Sequence, residues 1–289
     1  MITSQNITGW DSWIATVSLE STQWVGNIKI DNLGSNCHFS IKMQPNQITL
    51  FLGDCLEKLK NIPSKSVQLV LCDPPYGTTA LKWDSVIPLE PLWKELDRVL
   101  TPTGVVALTC SQPFTSALIS SNMKHFKYTW VWEKNMATNF LHAKRQPLRN
   151  TEDIVVFYRK SGSYYPIKTT GHKPTQSAKG KSVGKLWHGT NVRNSDGGAT
   201  DRHPLTIIKG INIVDPKKRV HPTQKPVALM EYLIKTYTLE GEVVLDFAMG
   251  SGTSGIAAKN LNRIFIGIER DPQIFKTAEY RIYNLTTDY

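Results

Sequence analysis

Val243-Val244-Leu245-Asp246-Phe247-Ala248-Met249-Gly250-Ser251-Gly252-Thr253 runs an apolar segment into a carboxylate and then into two glycines. The apolar part predicts a buried strand over Val243–Phe247, and a helix follows over residues 251–261. Between them, glycines allow backbone conformations that other residues avoid, and they let a ligand approach the helix N-terminus. Ile264–Ile268 is a second apolar run, ending at Glu269, and a last helix covers 272–284. Strand, glycine turn, helix, strand is a unit that needs a parallel sheet with helices packed on it. Gly250, Gly252 and Gly255 also spell G-x-G-x-x-G, with Glu269 placed to grip a ribose. Only 20 residues follow Glu269, too few to complete a dinucleotide fold in its usual order. Any ribose-bearing cofactor fits equally: the helix end takes a carboxylate or phosphate, and Glu269 takes the hydroxyls. A glycine turn made only for close strand–helix packing is the plainer alternative.

Upstream the same alternation holds. Ile48–Gly53 reads as a strand ending at Asp54, and Leu56, Leu59 and Ile62 follow at helical spacing until Pro63. Val67–Cys72 is a strand that delivers Asp73. Leu92, Leu96 and Leu100 mark a helix, Pro102-Thr103-Gly104 a turn, and Val105–Cys110 a strand. Residues 113–122 read as helix, Tyr128–Trp132 and Ile154–Tyr158 as strands, and residues 226–237 as an amphipathic helix. The expected fold is therefore α/β, a mostly parallel sheet covered on both faces, with ligands beyond the carboxyl ends of its strands. Residues 48–158 and 221–289 form its catalytic domain, 159–220 an insertion, and 1–47 an N-terminal extension of unknown role whose apolar residues follow no sustained period.

Composition narrows the function. The chain has 289 residues and a formal charge of +10. Residues 159–225 alone hold 14 basic and 3 acidic side chains, so the excess sits in one segment. Such a segment suits a polyanion, because each neutralised phosphate releases condensed counterions; a solvated basic loop is the alternative. No run of 18 uncharged apolar residues suggests a membrane span, and no basic leader precedes an apolar stretch, so a cytoplasmic protein is expected. The four cysteines never approach a C-x-x-C spacing, which argues against a zinc knuckle or a disulfide scaffold.

The tetrad Asp73-Pro74-Pro75-Tyr76 follows the strand at Val67–Cys72, where this fold would present it to the crevice. It offers acceptors, the Asp73 oxygens and the Pro74 carbonyl, while its prolines donate nothing. Two acceptors converging on one NH2 suit an exocyclic amine: held by both hydrogens, the nitrogen leaves conjugation and exposes its lone pair. Tyr76 offers a face on which to stack the ring. A rigid turn with a capping Asp73 is the alternative. His221-Pro222-Thr223-Gln224-Lys225-Pro226 opens the helix at 226, with Thr223 as a candidate cap.

Together these motifs resemble the β-class of S-adenosylmethionine-dependent DNA amino-methyltransferases. Asp73–Tyr76, a basic region, His221–Pro226 and Phe247–Thr253 follow one another in that class's order over residues 48–285. The resemblance implies a circularly permuted Rossmann-like methyltransferase fold with a target-recognition insertion at 159–220. It implies that Asp73, Pro74, Pro75 and Tyr76 handle the target amine. Asp54 and Cys55 would meet the adenine of S-adenosylmethionine, and Glu269 its ribose. Asp246 and the backbone of Phe247, Gly250, Ser251, Gly252 and Thr253 would meet its methionine part, with His221, Thr223 and Lys225 against the amino-acid end. Asp73 would touch both cofactor and amine. Residues 77–85 would form a mobile flap over the site, closed by Trp83. Trp132 and Lys134 match loosely, and core packing suits Trp132 better.

The expected reaction is methyl transfer to the exocyclic amine of a base flipped out of double-stranded DNA, with no metal needed. Asp73 favours adenine N6. Cytosine N4, then an RNA or protein amide, then nicotinamide chemistry stand as rivals. Arg193, Arg202 and Arg219 are candidates for guanine edges or phosphates. A homodimer and a companion restriction endonuclease are left open by the sequence.

Overall fold

The computed structural model describes residues 47–78, 84–183, 190–221 and 223–286, with only the backbone within 178–183 and 190–195 and within four N-terminal strands. These are β1 (Ile2–Ser4), β2 (Trp13–Leu19), β3 (Thr22–Leu33) and β4 (Asn36–Lys42), an antiparallel sheet in sequence order. Its register sets Trp13 opposite Ile28, Ile28 opposite Ile41, Val17 opposite Trp24 and Ile30 opposite Phe39. The period within each strand is short, Trp13-Ala15-Val17-Leu19 in β2 and Cys37-Phe39-Ile41 in β4, and is not sustained across the turns between them.

The larger body continues with β5 (Ile48–Leu52), α1 (Cys55–Lys58), β6 (Val67–Cys72), α2 (Leu89–Val99), β7 (Leu100–Cys110), α3 (Phe114–Ser121), β8 (Phe126–Thr138) and β9 (Arg149–Phe157). After β10 (Ala178–Val183) and β11 (Thr190–Ser195) come β12 (Ile207–Ile208), α4 (Val227–Tyr237), β13 (Val243–Asp246), α5 (Thr253–Asn260), β14 (Ile264–Glu269) and α6 (Pro272–Asn284). Eight strands form one sheet in the order β12-β8-β9-β7-β6-β13-β14-β5. Only β9 runs antiparallel to its neighbours, β7 and β8. This is the expected α/β arrangement, a mostly parallel sheet with helices on both faces.

Alternate residues of β6 enter two cores. Val70 and Cys72 pack with Leu59, Leu92, Leu96, Phe114 and Leu118. Leu69 and Leu71 pack with Leu229, Leu233, Ile256, Ala278 and Ile282. Helices α2 and α3 therefore cover one face, and α4, α5 and α6 the other. Each fully buried leucine contributes about 1.5–3 kcal/mol of apolar transfer. The glycines of the α5 region permit this closeness: a Cβ on Gly255 would lie 2.5 Å from Ile282 Cδ1.

Chain direction locates the active crevice. From β6 the chain crosses to β7 on one side, and from β13 it crosses to β14 on the other. The β6–β13 boundary is thus a topological switch point, where open α/β sheets bind ligands.

Several boundaries differ from expectation. Pro102-Thr103-Gly104 is no turn but part of β7, absorbed where the pairing shifts between Val67↔Leu100 and Leu69↔Val105. β8 is 13 residues long and extends past the expected Tyr128–Trp132, because β9 supplies a partner across to Thr138↔Arg149. α4 is capped by Pro226 without a side-chain bond, so Thr223 does not cap it.

Residues 165–206 form a separate compact unit. Inside it, β10 and β11 pair as an antiparallel hairpin, and Lys168 Nζ lies 2.8 Å from Asp201 Oδ2. Arg202 donates to the backbone carbonyls of Ala199, Asp201 and Lys173. Its guanidinium thus helps to hold its own unit together. The Arg193 side chain lies outside the described residues.

Candidate active site

Two groups of residues meet across the β6–β13 boundary. On the β13-β14-β5 side, Glu269 ends β14. Its Oε2 accepts from the Gly250 N–H at 3.0 Å and its Oε1 from the Asp271 N–H at 2.8 Å. Burial raises its pKa above the usual carboxylate value. β5 pairs alongside, with the Gly53 N–H donating to the Glu269 carbonyl at 2.9 Å, which brings Asp54 and Cys55 to the same edge. Asp54 caps α1 through the Leu56 N–H at 2.9 Å. Burial pushes the Cys55 thiol up to about 11, helped by the Asp54 charge.

The glycine turn sits between. Gly250 (φ 52°) and Gly252 (φ 82°) both take the left-handed conformation. A Cβ on Gly250 would enter open space, whereas one on Gly252 would press on Ile282 at 3.0 Å and Ala278 Cα at 3.1 Å. The side chains around the turn face inward. Phe247 is core; Ser251 and Thr253 are buried, and Arg281 Nη1 donates to the Ser251 carbonyl at 2.5 Å and its Oγ at 2.9 Å. Asp246 is buried and accepts from the Ala248 N–H at 3.1 Å and from the Ser254 hydroxyl. Burial pushes its pKa up to about 6. Asp246 thus shapes the turn from beneath, through the Ala248 N–H and the Ser254 hydroxyl.

On the other side, Asp73 leaves β6 beside the turn, on the strand paired with β13. The sequence predicts free acceptors here; instead both oxygens are engaged. Oδ1 accepts from the Tyr76 hydroxyl at 2.6 Å and from Thr109, and Oδ2 accepts from Lys225 Nζ at 2.8 Å. Lys225 is buried and bridges to Glu152 Oε1, also at 2.8 Å. Burial alone would lower the lysine pKa, but the two carboxylates overcome it and hold it above the ordinary value. The Tyr76 hydroxyl oxygen also lies 3.0 Å from Glu152 Oε1. Its ring stacks on Phe114 at 5.4 Å, so it is not a wholly open platform for a base. Burial and the Asp73 charge raise its pKa well above that of free tyrosine.

Lys134 lies 3.8 Å from Glu152 Oε2, its pKa lowered by burial. His221 sits nearby with Nδ1 3.0 Å from Thr223 Oγ1; burial lowers its pKa against the pull of Asp73. Trp132 is core, donating from Nε1 to the Ile211 carbonyl at 2.9 Å. Asp84 accepts from the Gly77 and Thr78 N–H groups at 2.8 and 2.9 Å, joining the ends of the expected flap; Trp83 lies outside the described residues.

Glu152, Thr109 and Arg281 escape a sequence reading. Acids that follow a strand are conspicuous at Asp54, Asp73 and Glu269. Glu152 belongs to the one antiparallel neighbour, so the start of β9, not its end, reaches the crevice. A charged residue just before the apolar run Ile154–Phe157 is the one local signal of it.

The family model for N6/N4 DNA methylases matches residues 67–280, most of the chain and both halves of this crevice. The chain belongs to this DNA methylase family. The methylase is 26% identical over 268 residues to the type II methyltransferase M1.MboII of Moraxella bovis, covering 80% of this chain and 95% of that one. The crystal structure of the M1.HpyAVI–SAM complex resembles it at 27% identity and a TM-score of 0.55, over 81% of this chain and all of that one. The cytosine-N4-specific PvuII DNA methyltransferase shares the fold, with a TM-score of 0.57 at 15% identity. In the methylase, the tetrad and the glycine turn share one sheet, on the paired strands β6 and β13.

Proposed function

We propose that the methylase transfers a methyl group from S-adenosylmethionine to an exocyclic amine of double-stranded DNA, adenine N6, in the cytoplasm. The observation that carries this reading is the adjacency of Asp73 and the Gly250–Gly252 turn at the ends of paired strands β6 and β13. The residues beside the turn suit the cofactor. A Cβ on Gly250 would meet no atom within 4 Å, so the backbone there is open to a ligand, the α5 N-terminus attracts a carboxylate, and Glu269, held by two backbone N–H groups, fits ribose hydroxyls. Asp54 and Cys55 lie where the adenine would continue. Bound there, S-adenosylmethionine supplies an electrophilic methyl on a sulfonium.

The chain's own part is to deliver and orient the amine. Asp73 and the Pro74 carbonyl take its two hydrogens, and an arriving NH2 must replace Lys225 or the Tyr76 hydroxyl on the Asp73 oxygens. Lys225 retains Glu152 when it releases Asp73, so the exchange leaves no buried ammonium uncompensated. Alignment of reacting atoms is the main catalytic device. The basic segment over 159–220 serves as the target-recognition region. Incubation with genomic DNA and methyl-labelled cofactor, followed by nucleoside mass spectrometry, tests the reading. N6-methyladenine is the expected product; N4-methylcytosine overturns the base, and absence of label in DNA overturns the reaction.

A further inference from the structure

β8 and β9 run beyond the sheet and close at a tip whose side chains have no part in the two groups described above. Phe140 is 73% exposed and Leu141 84%, the two standing together on a 3-10 turn at Phe140–His142. Met136 and Leu148 flank them, also exposed. The tip is held in shape: Asn139 turns left-handed (φ 70°), the His142 and Ala143 N–H groups donate to Asn139 and Phe140, and Arg145 donates its N–H to His142 at 2.8 Å. Between Glu133 and Glu152 there is no acidic side chain, while Lys134, Lys144, Arg145 and Arg149 are all basic. At the foot of the turn an open cleft of about 310 Å³, lined by Asn139 and residues 146–151, presents the amides of Asn139, Gln146 and Asn150 beside Arg149.

We propose that Phe140 and Leu141 form an apolar wedge that enters the base stack of duplex DNA where the target base leaves it. Lys144, Arg145 and Arg149 seat it on the flanking phosphates. The inference rests on the reading of the protein as a DNA methylase and adds the surface by which extrusion is stabilised. Charge identifies the partner: exposed apolar groups in an acid-free, cationic setting match a polyanion with an apolar interior, and a protein partner has no reason to exclude acids from the whole rim. Continuity with the site fixes the place, since the strands that carry the tip also carry Lys134 and Glu152 beside Asp73. Two adjacent side chains on one short turn suit a gap in a base stack better than the broad face a lipid surface requires. Filling the gap offsets the unstacking that extrusion demands.

The test compares wild type with the Phe140→Ala/Leu141→Ala double variant on a duplex carrying a site that wild type methylates, located by sequencing the methylated genomic DNA, and on that duplex with an abasic nucleotide opposite the target. The abasic partner removes the pairing that the wedge helps to overcome. The double variant should methylate the intact duplex about tenfold or more slowly in single turnover and recover to within about threefold on the abasic one. Its affinity for S-adenosylmethionine and its thermal midpoint should stay at wild-type values, as expected for exposed positions. An intact-duplex rate within about twofold of wild type, or an equal loss on both duplexes, overturns the wedge. So does a change confined to binding of phosphatidylserine vesicles or to sedimentation behaviour. If wild type methylates DNA and the double variant matches it, the wedge alone falls; if wild type methylates no duplex, the reading beneath it falls too.

Discussion

Lys225 is the residue on which the polar half of the site turns. Its ammonium sits 2.8 Å from both Asp73 and Glu152, in the position that a cationic or amine-bearing guest of Asp73 would seek. Replacing it with methionine takes the ammonium from Asp73 and leaves Glu152 with Lys134 alone, 3.8 Å away. Turnover of Lys225→Met at neutral pH should therefore fall at least about tenfold, because the geometry of Asp73 and Glu152 is no longer held; turnover within about twofold of wild type disproves the role. Glu152→Gln leaves Lys225 paired with Asp73 and should cost about 1–2 kcal/mol of stability in denaturant titrations. Asp246 makes stability depend on pH. Its pKa rises from 3.8 in the unfolded chain to about 6 in the fold, so the folded state binds the extra proton between these values. Stability from this group is present at low pH and is lost as pH rises through that window, by up to about 3 kcal/mol. Wild type should accordingly lose stability relative to Asp246→Asn over that interval, and a flat difference between the two would sink the claim.

At the level of elements, the glycine turn separates folding from binding. Gly255 and Gly252 are constrained by packing on α6, but Gly250 faces open space. Gly250→Ala should cost only about 1–2 kcal/mol for an alanine in the left-handed region, yet place a methyl where the cofactor's amino-acid end would lie. Calorimetry should show affinity for S-adenosylmethionine falling about tenfold or more while the protein stays folded; unchanged affinity would move the cofactor elsewhere. Much of this architecture is legible in the sequence. The strand–turn–helix over Val243–Thr253, the acids after β5, β6 and β14, and helices α4 and α6 follow from apolar runs and local breakers, which are one-dimensional signals. What stays hidden depends on pairing between distant segments. β7 absorbs Pro102–Gly104 because a bulge opposite Val67–Leu69 accommodates them, and Glu152 enters the site because β9 is reversed. The engagement of Asp73 by Lys225 joins residues 152 positions apart, and no local pattern could announce it.

For the whole molecule, charge and topology divide the labour. The methyl-transfer chemistry is proposed to lie in the body formed by residues 1–164 and 207–289, whereas residues 165–206 form a unit of their own carrying seven basic and two acidic side chains. That unit has little apolar material from which to build a core, and its internal ties include the backbone bridge Thr169↔Arg202 and the Lys168–Asp201 pair. A partner that supplies negative charge would complete it. Replacing residues 165–206 with a short Gly-Ser linker should therefore leave thermal stability and affinity for S-adenosylmethionine close to wild type, because neither core draws on the described side chains of that segment. Binding to duplex DNA should weaken, and the slope of log K against log salt should become shallower by about 0.9 for each phosphate that the protein no longer neutralises. Fluorescence titrations at several salt concentrations measure both quantities. A replacement that lowers affinity while leaving the salt slope unchanged would mean that the unit does not track phosphates; a drop in cofactor affinity would mean that the two bodies do not divide the work in this way.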